Sequence, residues 1–328
     1  MIGDGMGVSQ VSFSILTNPS SAFKRFPVTG FSITCSADKL ITDSAAGGTA
    51  LACGERTKNG SIGVDSTGKI LSSIFDLALQ KNLSTGIVVT SEVTNATPAT
   101  FLGHTPDRHN NELLAEQYTL LETQVVIGGG RRYFVPDTSG GKRKDNVDLL
   151  VKLKEKGYLV FDNFEDLNKL VSQKYYALLE KEALKPAEKR NYSLSDLTKK
   201  ALHVLSQNKK GFVLMIEGSQ IDNGGHENNQ ERLVNEMNDF EKAMQTVLDF
   251  SEKNNETLVV VTADHETGGV AITGGEVDGK KLKIEFTTKN HSAAMVGVYA
   301  TGPLSEIFSG INENYEIGLK LMKLIERR

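Results

Sequence analysis

Two cysteines, Cys35 and Cys53, are all that the 328 residues contain, too few for a disulfide framework. The fold must therefore stand on packed side chains, helped by any ions it holds. An excess of positive charge is also missing: 37 lysines and arginines face 41 aspartates and glutamates, for a net charge of −4. Without a basic stripe there is no electrostatic footprint for nucleic acid, and the one local run, Gly140-Gly141-Lys142-Arg143-Lys144, reads as a solvated loop. Small-molecule partners are expected. No stretch is long and apolar enough to span a membrane, and no charged segment followed by an apolar run opens the chain. Internal repeats and low-complexity linkers are lacking too, so nothing divides the sequence into modules.

What is present suits one large α/β unit covering residues 1–328, since 39% hydrophobic composition is ample for a core. Met1-Ile2 runs straight into Gly3-Asp4-Gly5-Met6-Gly7, which reads as the end of a buried strand and its turn, with the rest of that first strand expected upstream. Gly30–Thr34 alternates like a strand, Ile70–Lys81 has helical periodicity, and Thr85–Thr90 is almost wholly apolar, as strands buried on both faces are. The beat continues with a helix over Asn111–Leu121, a strand at Gln124–Ile127, a helix over Asn146–Lys156 and a strand at Tyr158–Phe161. Such alternation predicts a mostly parallel central sheet with helices on both faces, a three-layer sandwich. Residues 162–210 turn charged and predict a helical outer layer, with one candidate strand at Tyr175–Leu179. Two core strands, Phe212–Ile216 and Thr257–Thr262, flank a long helix expected from Asn229 to Lys253, and a glycine-rich excursion at 270–290 precedes a last strand at Met295–Ala300.

The chemistry gathers at two kinds of place. In Thr42-Asp43-Ser44-Ala45-Ala46, Thr42 and Asp43 are both N-cap candidates for a helix of small residues that puts Ser44 in its first turn. Unpaired backbone N–H groups and the helix dipole favour a phosphate or similar anion there. Meanwhile Asp4, Glu217, Asp222, Asp264 and His265 all fall at or just beyond the carboxyl ends of predicted strands, where ligands bind in open parallel sheets. So many converging carboxylates would repel one another unless divalent cations neutralised them, and a mixture of Asp and His suits zinc. His226 and His291 share the Gly-rich, strand-end setting, whereas His104, His109 and His203 read as structural. The glycines in Asp222-Asn223-Gly224-Gly225-His226 favour a tight turn over a helix. Arg108, in His104-Thr105-Pro106-Asp107-Arg108, can fork onto two phosphate oxygens.

In order along the chain, GDGMG, TDSAAGGTA, NATPA, EGSQIDNGGH, TADHETGG and HSA resemble the alkaline phosphatase family from the first residues to past His291. Position by position, the resemblance implies Ser44 as nucleophile, with Arg108 clamping the phosphate and Asp43 orienting it. It implies one zinc held by Asp4, Asp264 and His265, a second held by Asp222, His226 and His291, and a magnesium held by Asp4, Thr97 and Glu217. The implied reaction is hydrolysis of phosphate monoesters of broad range through a phosphoserine, releasing inorganic phosphate and an alcohol. A homodimer and an exported, periplasmic or secreted, protein are implied as well. Asn95 and Asn223 depart from the family, which places Asp or His at the first position and Lys, His or Trp at the second. The short 270–290 segment implies a reduced crown-like insertion. The competing expectations are a phosphodiesterase or sulfatase of the same superfamily, or a catalytically silent metal-binding relative. Ser44 together with Thr97 and Glu217 favours monoesters.

Overall fold

A computed structural model describes residues 1–327. In chain order its strands are β1 (Ile2–Gly3), β2 (Val28–Ile33), β3 (Ser84–Glu92), β4 (Val125–Gly129), β5 (Leu159–Phe161), β6 (Tyr175–Leu178), β7 (Phe212–Gly218), β8 (Val259–Val261), β9 (Glu266–Thr267), β10 (Val270–Gly274), β11 (Lys283–Phe286), β12 (His291–Ser292), β13 (Val296–Thr301) and β14 (Gly310–Glu313). Six of them form an all-parallel sheet in the order β1-β7-β3-β4-β6-β5. Another four, β14-β2-β13-β8, form a mixed sheet in which only β13 runs against its neighbours. A parallel bridge between Ile2 and Thr262, with the Gly3 N–H donating to the Thr262 carbonyl at 2.9 Å, joins the two. Short as it is, β1 therefore lies at the seam, paired with β7 on one side and bridged to the β8 end on the other.

Consecutive strand residues point to opposite faces, and each face has its own core. Val88, Ile127, Tyr175 and Ile216 pack with the helices Val8–Thr17, Leu194–Leu205 and Gln230–Asn254. Ile87, Val89, Val126, Tyr176 and Met215 pack with Ser44–Cys53, Ile74–Gln80, Asn111–Tyr118, Leu149–Glu155 and Asn314–Glu326. This is the three-layer α/β sandwich with a mostly parallel sheet.

Some boundaries move for identifiable reasons. The helix expected from Ile70 starts at Ile74, because Ser73 and Asp76 form a reciprocal capping box that fixes the first turn there. The one expected from Asn146 starts at Leu149, since Asn146 has a positive φ of 57° and Asp148 caps the Leu150 and Val151 N–H groups. The 162–210 stretch is not wholly an outer layer. Its helices Phe164–Asn168 and Leu194–Leu205 flank β6, which enters the sheet between β4 and β5. Four buried residues, Tyr-Tyr-Ala-Leu, satisfy both cores at once, and the Tyr176 hydroxyl donates to the Tyr118 carbonyl at 2.8 Å. The 270–290 excursion is an antiparallel hairpin of β10 and β11, and the segments bracketing it pair as β9 and β12.

Candidate active site

The Ser44–Cys53 helix is buried along its whole length, which its sequence Ser-Ala-Ala-Gly-Gly-Thr-Ala-Leu-Ala-Cys permits. A β-carbon on Gly47 would approach the Asp264 carbonyl oxygen to 2.9 Å, and one on Gly48 would lie 3.2 Å from the Thr97 Cα. The glycines thus let this helix press against two other segments that carry site residues. Asp43 caps it, accepting from the Ala46 N–H at 3.0 Å through Oδ1. Its other oxygen accepts from the Gly60 N–H at 2.8 Å and from Arg108 Nη1 at 3.0 Å. One carboxylate thereby fixes both the helix start and the arginine.

Ser44 follows at the first helical position, and its Oγ lies 3.1 Å from His265 Nε2. Around that nitrogen stand Asp264 Oδ2 at 3.3 Å and Asp4 Oδ1 at 3.4 Å. Asp4, Asp264 and His265 thus form one buried group with ligand atoms close enough to share a cation. Asp222 Oδ2 lies 3.3 Å from His226 Nε2, which in turn is 3.2 Å from His291 Nε2. His291 is 3.6 Å from Asp222 Oδ1, and its ring stacks on His265 with centroids 3.5 Å apart. The second group is therefore contiguous with the first. Thr97, on the short helix Ala96–Ala99, donates to Asp264 Oδ2 at 3.4 Å, and Glu217, one residue before the end of β7, pairs with Ile2 of β1. Asn95 caps that short helix, while Asn223 is exposed. His104 has a structural place, its Nδ1 2.8 Å from the Gly63 carbonyl.

Asp222 and His226 lie on a helix, Ile221–His226, and not on the tight turn expected from their two glycines. Here glycine serves close approach. A Cβ on Gly224 would come within 2.7 Å of the Leu233 Cα, and one on Gly225 within 2.8 Å of the Thr267 carbonyl. Gly224→Ala is therefore expected to destabilise the fold by about 1–3 kcal/mol through overpacking, read as a lower denaturant midpoint at unchanged slope. An unchanged midpoint would mean that the Leu233 backbone yields freely.

Electrostatics mark this cluster as incomplete on its own. Burial, and then Asp264, Asp222 and Glu217, push the Asp4 carboxyl well above the usual range. Burial and Asp264 push Glu217 up to about 8, against hydrogen bonds from Ser219 and Thr97. Burial and Asp222 push Asp264 up to about 6. The His265 imidazole is pushed down to about 4 by burial. Asp222 goes the other way: burial opposes its charge, but the His226 hydrogen bond and the neighbouring imidazoles hold its carboxyl below the ordinary value. Among the described residues, no hydrogen-bond donor reaches the buried Asp4 Oδ1 or Glu217 Oε2. Orphaned carboxylate oxygens converging with imidazole nitrogens fit divalent cations, which would supply the missing positive charge.

The Alkaline phosphatase family model matches residues 1–285. The chain belongs to the alkaline phosphatase family. It is 38% identical over 291 residues to Alkaline phosphatase 4 of Bacillus subtilis (strain 168), covering 83% of this chain but only 61% of that relative's length. The alkaline phosphatase of the Antarctic bacterium TAB5 superposes with a TM-score of 0.91 at 37% identity, covering 99% of this chain and 96% of that one. A variant of the TAB5 enzyme with Mg bound in its M3 site superposes with a TM-score of 0.90 at 38% identity, at the same coverage.

The fold brings the residues singled out in the sequence, from Asp4 and Ser44 to Asp264, His265 and His291, into this one region. Thr267 and Glu266 were not among them. Glu266 Oε1 accepts from Val270 N and Gln10 Nε2, and its Oε2 accepts from Gly269 N and the Ser292 hydroxyl, so it ties the hairpin base to the strand carrying His291. The signal for Thr267 is its place two residues after His265, which in extended chain puts both on one face.

Proposed function

We propose that this chain hydrolyses phosphate monoesters at this site, with Ser44 as nucleophile and a phosphoserine as intermediate. The observation that carries the reading is the placement of Ser44 Oγ, at the N-terminus of a buried helix and 3.1 Å from His265 Nε2, beside buried carboxylates of which Asp4 Oδ1 and Glu217 Oε2 have no donor. Asp4, Asp264 and His265 would hold one zinc, Asp222, His226 and His291 the other, and Asp4, Thr97 and Glu217 a magnesium. Bound divalent cations supply charge neutralisation, Lewis-acid stabilisation of phosphoryl oxygens and a lowered hydroxyl pKa.

The chain's own groups bind and orient. Arg108, held by Asp43, offers a planar pair of N–H donors to two phosphoryl oxygens. The N–H groups of the first helical turn around Ser44 add donors and a favourable dipole. Ser44 Oγ gives up its proton to solvent and forms the new bond to phosphorus as the bond to the ester oxygen breaks, and the alcohol leaves with a proton taken from solvent. Water then attacks the phosphoserine, the Oγ–phosphorus bond breaks, and inorganic phosphate departs as the Ser44 hydroxyl reforms. The named contacts grip the phosphoryl group and none grips the alcohol, which supports a broad substrate range. Exposed Phe31, Ile33 and Ile311 on the neighbouring strands β2 and β14 support pairing with a second copy of the chain.

The deciding experiment compares p-nitrophenyl phosphate with its bis-ester, with and without chelator. Monoester hydrolysis abolished by chelator is expected; a preference for the diester would favour a phosphodiesterase, and no turnover of either a silent metal-binding relative. Arg108→Ala is expected to lower kcat/KM for the monoester by about 10–100-fold, the worth of a charge-assisted hydrogen bond, at unchanged metal content. A wild-type kcat/KM would place Arg108 outside the phosphate site.

A further inference from the structure

Thr267 is fully buried and stands between the two groups of candidate ligands. Its Oγ1 lies 2.5 Å from Asp222 Oδ1 and 3.2 Å from His265 Nδ1. In the zinc assignment proposed above, Asp222 belongs to one set and His265 to the other, although the ligand atoms of His265 also lie close enough to Asp222 and His291 to share a cation with them; a single hydroxyl touches a ligand of each set. Main-chain bonds hold the residue in place: its N–H donates to the Gly5 carbonyl at 3.1 Å, and its carbonyl accepts from Gln10 Nε2 at 3.0 Å. Space is cleared for its side chain from two directions. A Cβ on Gly5, whose φ is +71°, would come within 2.7 Å of the Thr267 Oγ1, and one on Gly225 within 2.8 Å of its Cγ2. Glycines of two separate motifs thus make room for one threonine.

We infer that the Thr267 hydroxyl is a positioning residue that couples the two metal-ligand groups, through the chain His265 Nδ1–H to Thr267 Oγ1–H to Asp222 Oδ1. The inference rests on the metal-dependent reading of the site proposed above. Proton assignment follows from the neighbours. His265 Nε2 faces Ser44, Asp4 and Asp264, and with a cation there it must present its lone pair. The ring's one N–H is then on Nδ1, where the group within reach is the threonine oxygen. With one lone pair accepting from histidine, the hydroxyl hydrogen is free to donate, and the carboxylate oxygen 2.5 Å away can only accept. The chain fixes the His265 tautomer and ring plane and restrains one oxygen of Asp222, leaving Asp222 Oδ2 towards His226. Outer partners of this kind commonly change metal affinity by about 10–100-fold when removed.

The test uses the full chain loaded with zinc and magnesium, comparing wild type with Thr267→Val, which keeps the shape, and Thr267→Ser, which keeps the hydroxyl. Zinc affinity is read by competition with a chromophoric chelator, separately from turnover. The valine variant is expected to bind both zinc ions about 10–100-fold more weakly, with serine restoring affinity to within about threefold. Wild-type zinc affinity in the valine variant would overturn the coupling, as would weakening at one ion alone. Should the valine variant not fold, nitrogen-15 NMR of the wild-type holoenzyme decides: a protected Nδ1–H on His265 is expected, and an exchangeable, unprotected one would overturn the proposal. An inactive wild type with zinc loss in the valine variant would sink the hydrolase reading and leave the coupling standing, whereas an active wild type with unaltered zinc binding would do the reverse.

Discussion

Ser44→Ala is expected to lower phosphomonoester turnover by about 10³-fold or more, because the group that forms the covalent bond to phosphorus is gone while the binding groups remain. Little else should change. The substitution removes one hydroxyl from a buried position and one contact to His265, and alanine is a better helix former than serine. Asp43 still caps the helix and still holds Arg108. Zinc content by mass spectrometry and the melting temperature should both stay near wild type. Quenching wild type at low pH with labelled phosphate should trap label on Ser44, and the alanine variant should trap none. Turnover within tenfold of wild type would remove Ser44 from the role of nucleophile.

A second large effect is expected when metal is stripped by chelator: stability should fall steeply as pH rises from about 6.5 to about 8. Glu217 is held up at about 8 by burial and Asp264, so the folded state keeps a proton there that the unfolded chain has already lost. His226, raised to about 9 by its hydrogen bond to Asp222, acts in the same direction. A group with a raised folded pKa contributes stability that is complete below its unfolded pKa and is lost as pH rises through the folded value. His265 has the opposite sign, since burial lowers it to about 4, but its opposing contribution ends near the ordinary imidazole value of 6.5. Above that pH the Met1 amino group, lowered to about 5 by burial, still opposes up to its ordinary value near 8, but Glu217 and His226 together outweigh it, the Glu217 proton alone being worth roughly 2 kcal/mol over the window. Urea midpoints measured against pH should slope downward with chelator and flatten when zinc and magnesium are restored, because cations replace the protons. Glu217→Gln should flatten the chelated curve as well. A chelated curve that rose with pH would mean that the carboxylates are solvated and not gathered as described.

Much of this protein was legible in the chain. The strand-then-helix beat gave the parallel sheet because burial on both faces demands near-continuous apolar runs, as in Thr85–Thr90, and helices demand a different period. Asp43 as the helix cap and Ser44 in the first turn could be read because capping is local, decided by residues within one turn. Where non-local contacts rule, the reading failed. The glycines at 224 and 225 suggest a turn by conformational preference, yet the chain is helical there and the glycines instead make room for the close approach of Leu233 and Thr267. The strand Tyr175–Leu178 could be picked out as a candidate from its apolar run, but its place between β4 and β5 depends on partners 50 and 16 residues away.

The sequence by itself determined the fold class, the Ser44 helix with its cap, and the family, because these depend on local periodicity and on ordered motifs. Tertiary structure alone decided that Asp4, Asp222, Asp264, His265 and His291 share one buried space, that Asp43 binds Arg108, and that Thr267 bridges the two ligand groups. Those contacts join residues up to roughly 260 positions apart, and only the sheet order, with β1 between β7 and the end of β8, sets their distances. Buried carboxylate oxygens without donors are likewise a property of the assembled site: in the extended chain each is solvated by water, and only packing removes that water and leaves the need for a cation.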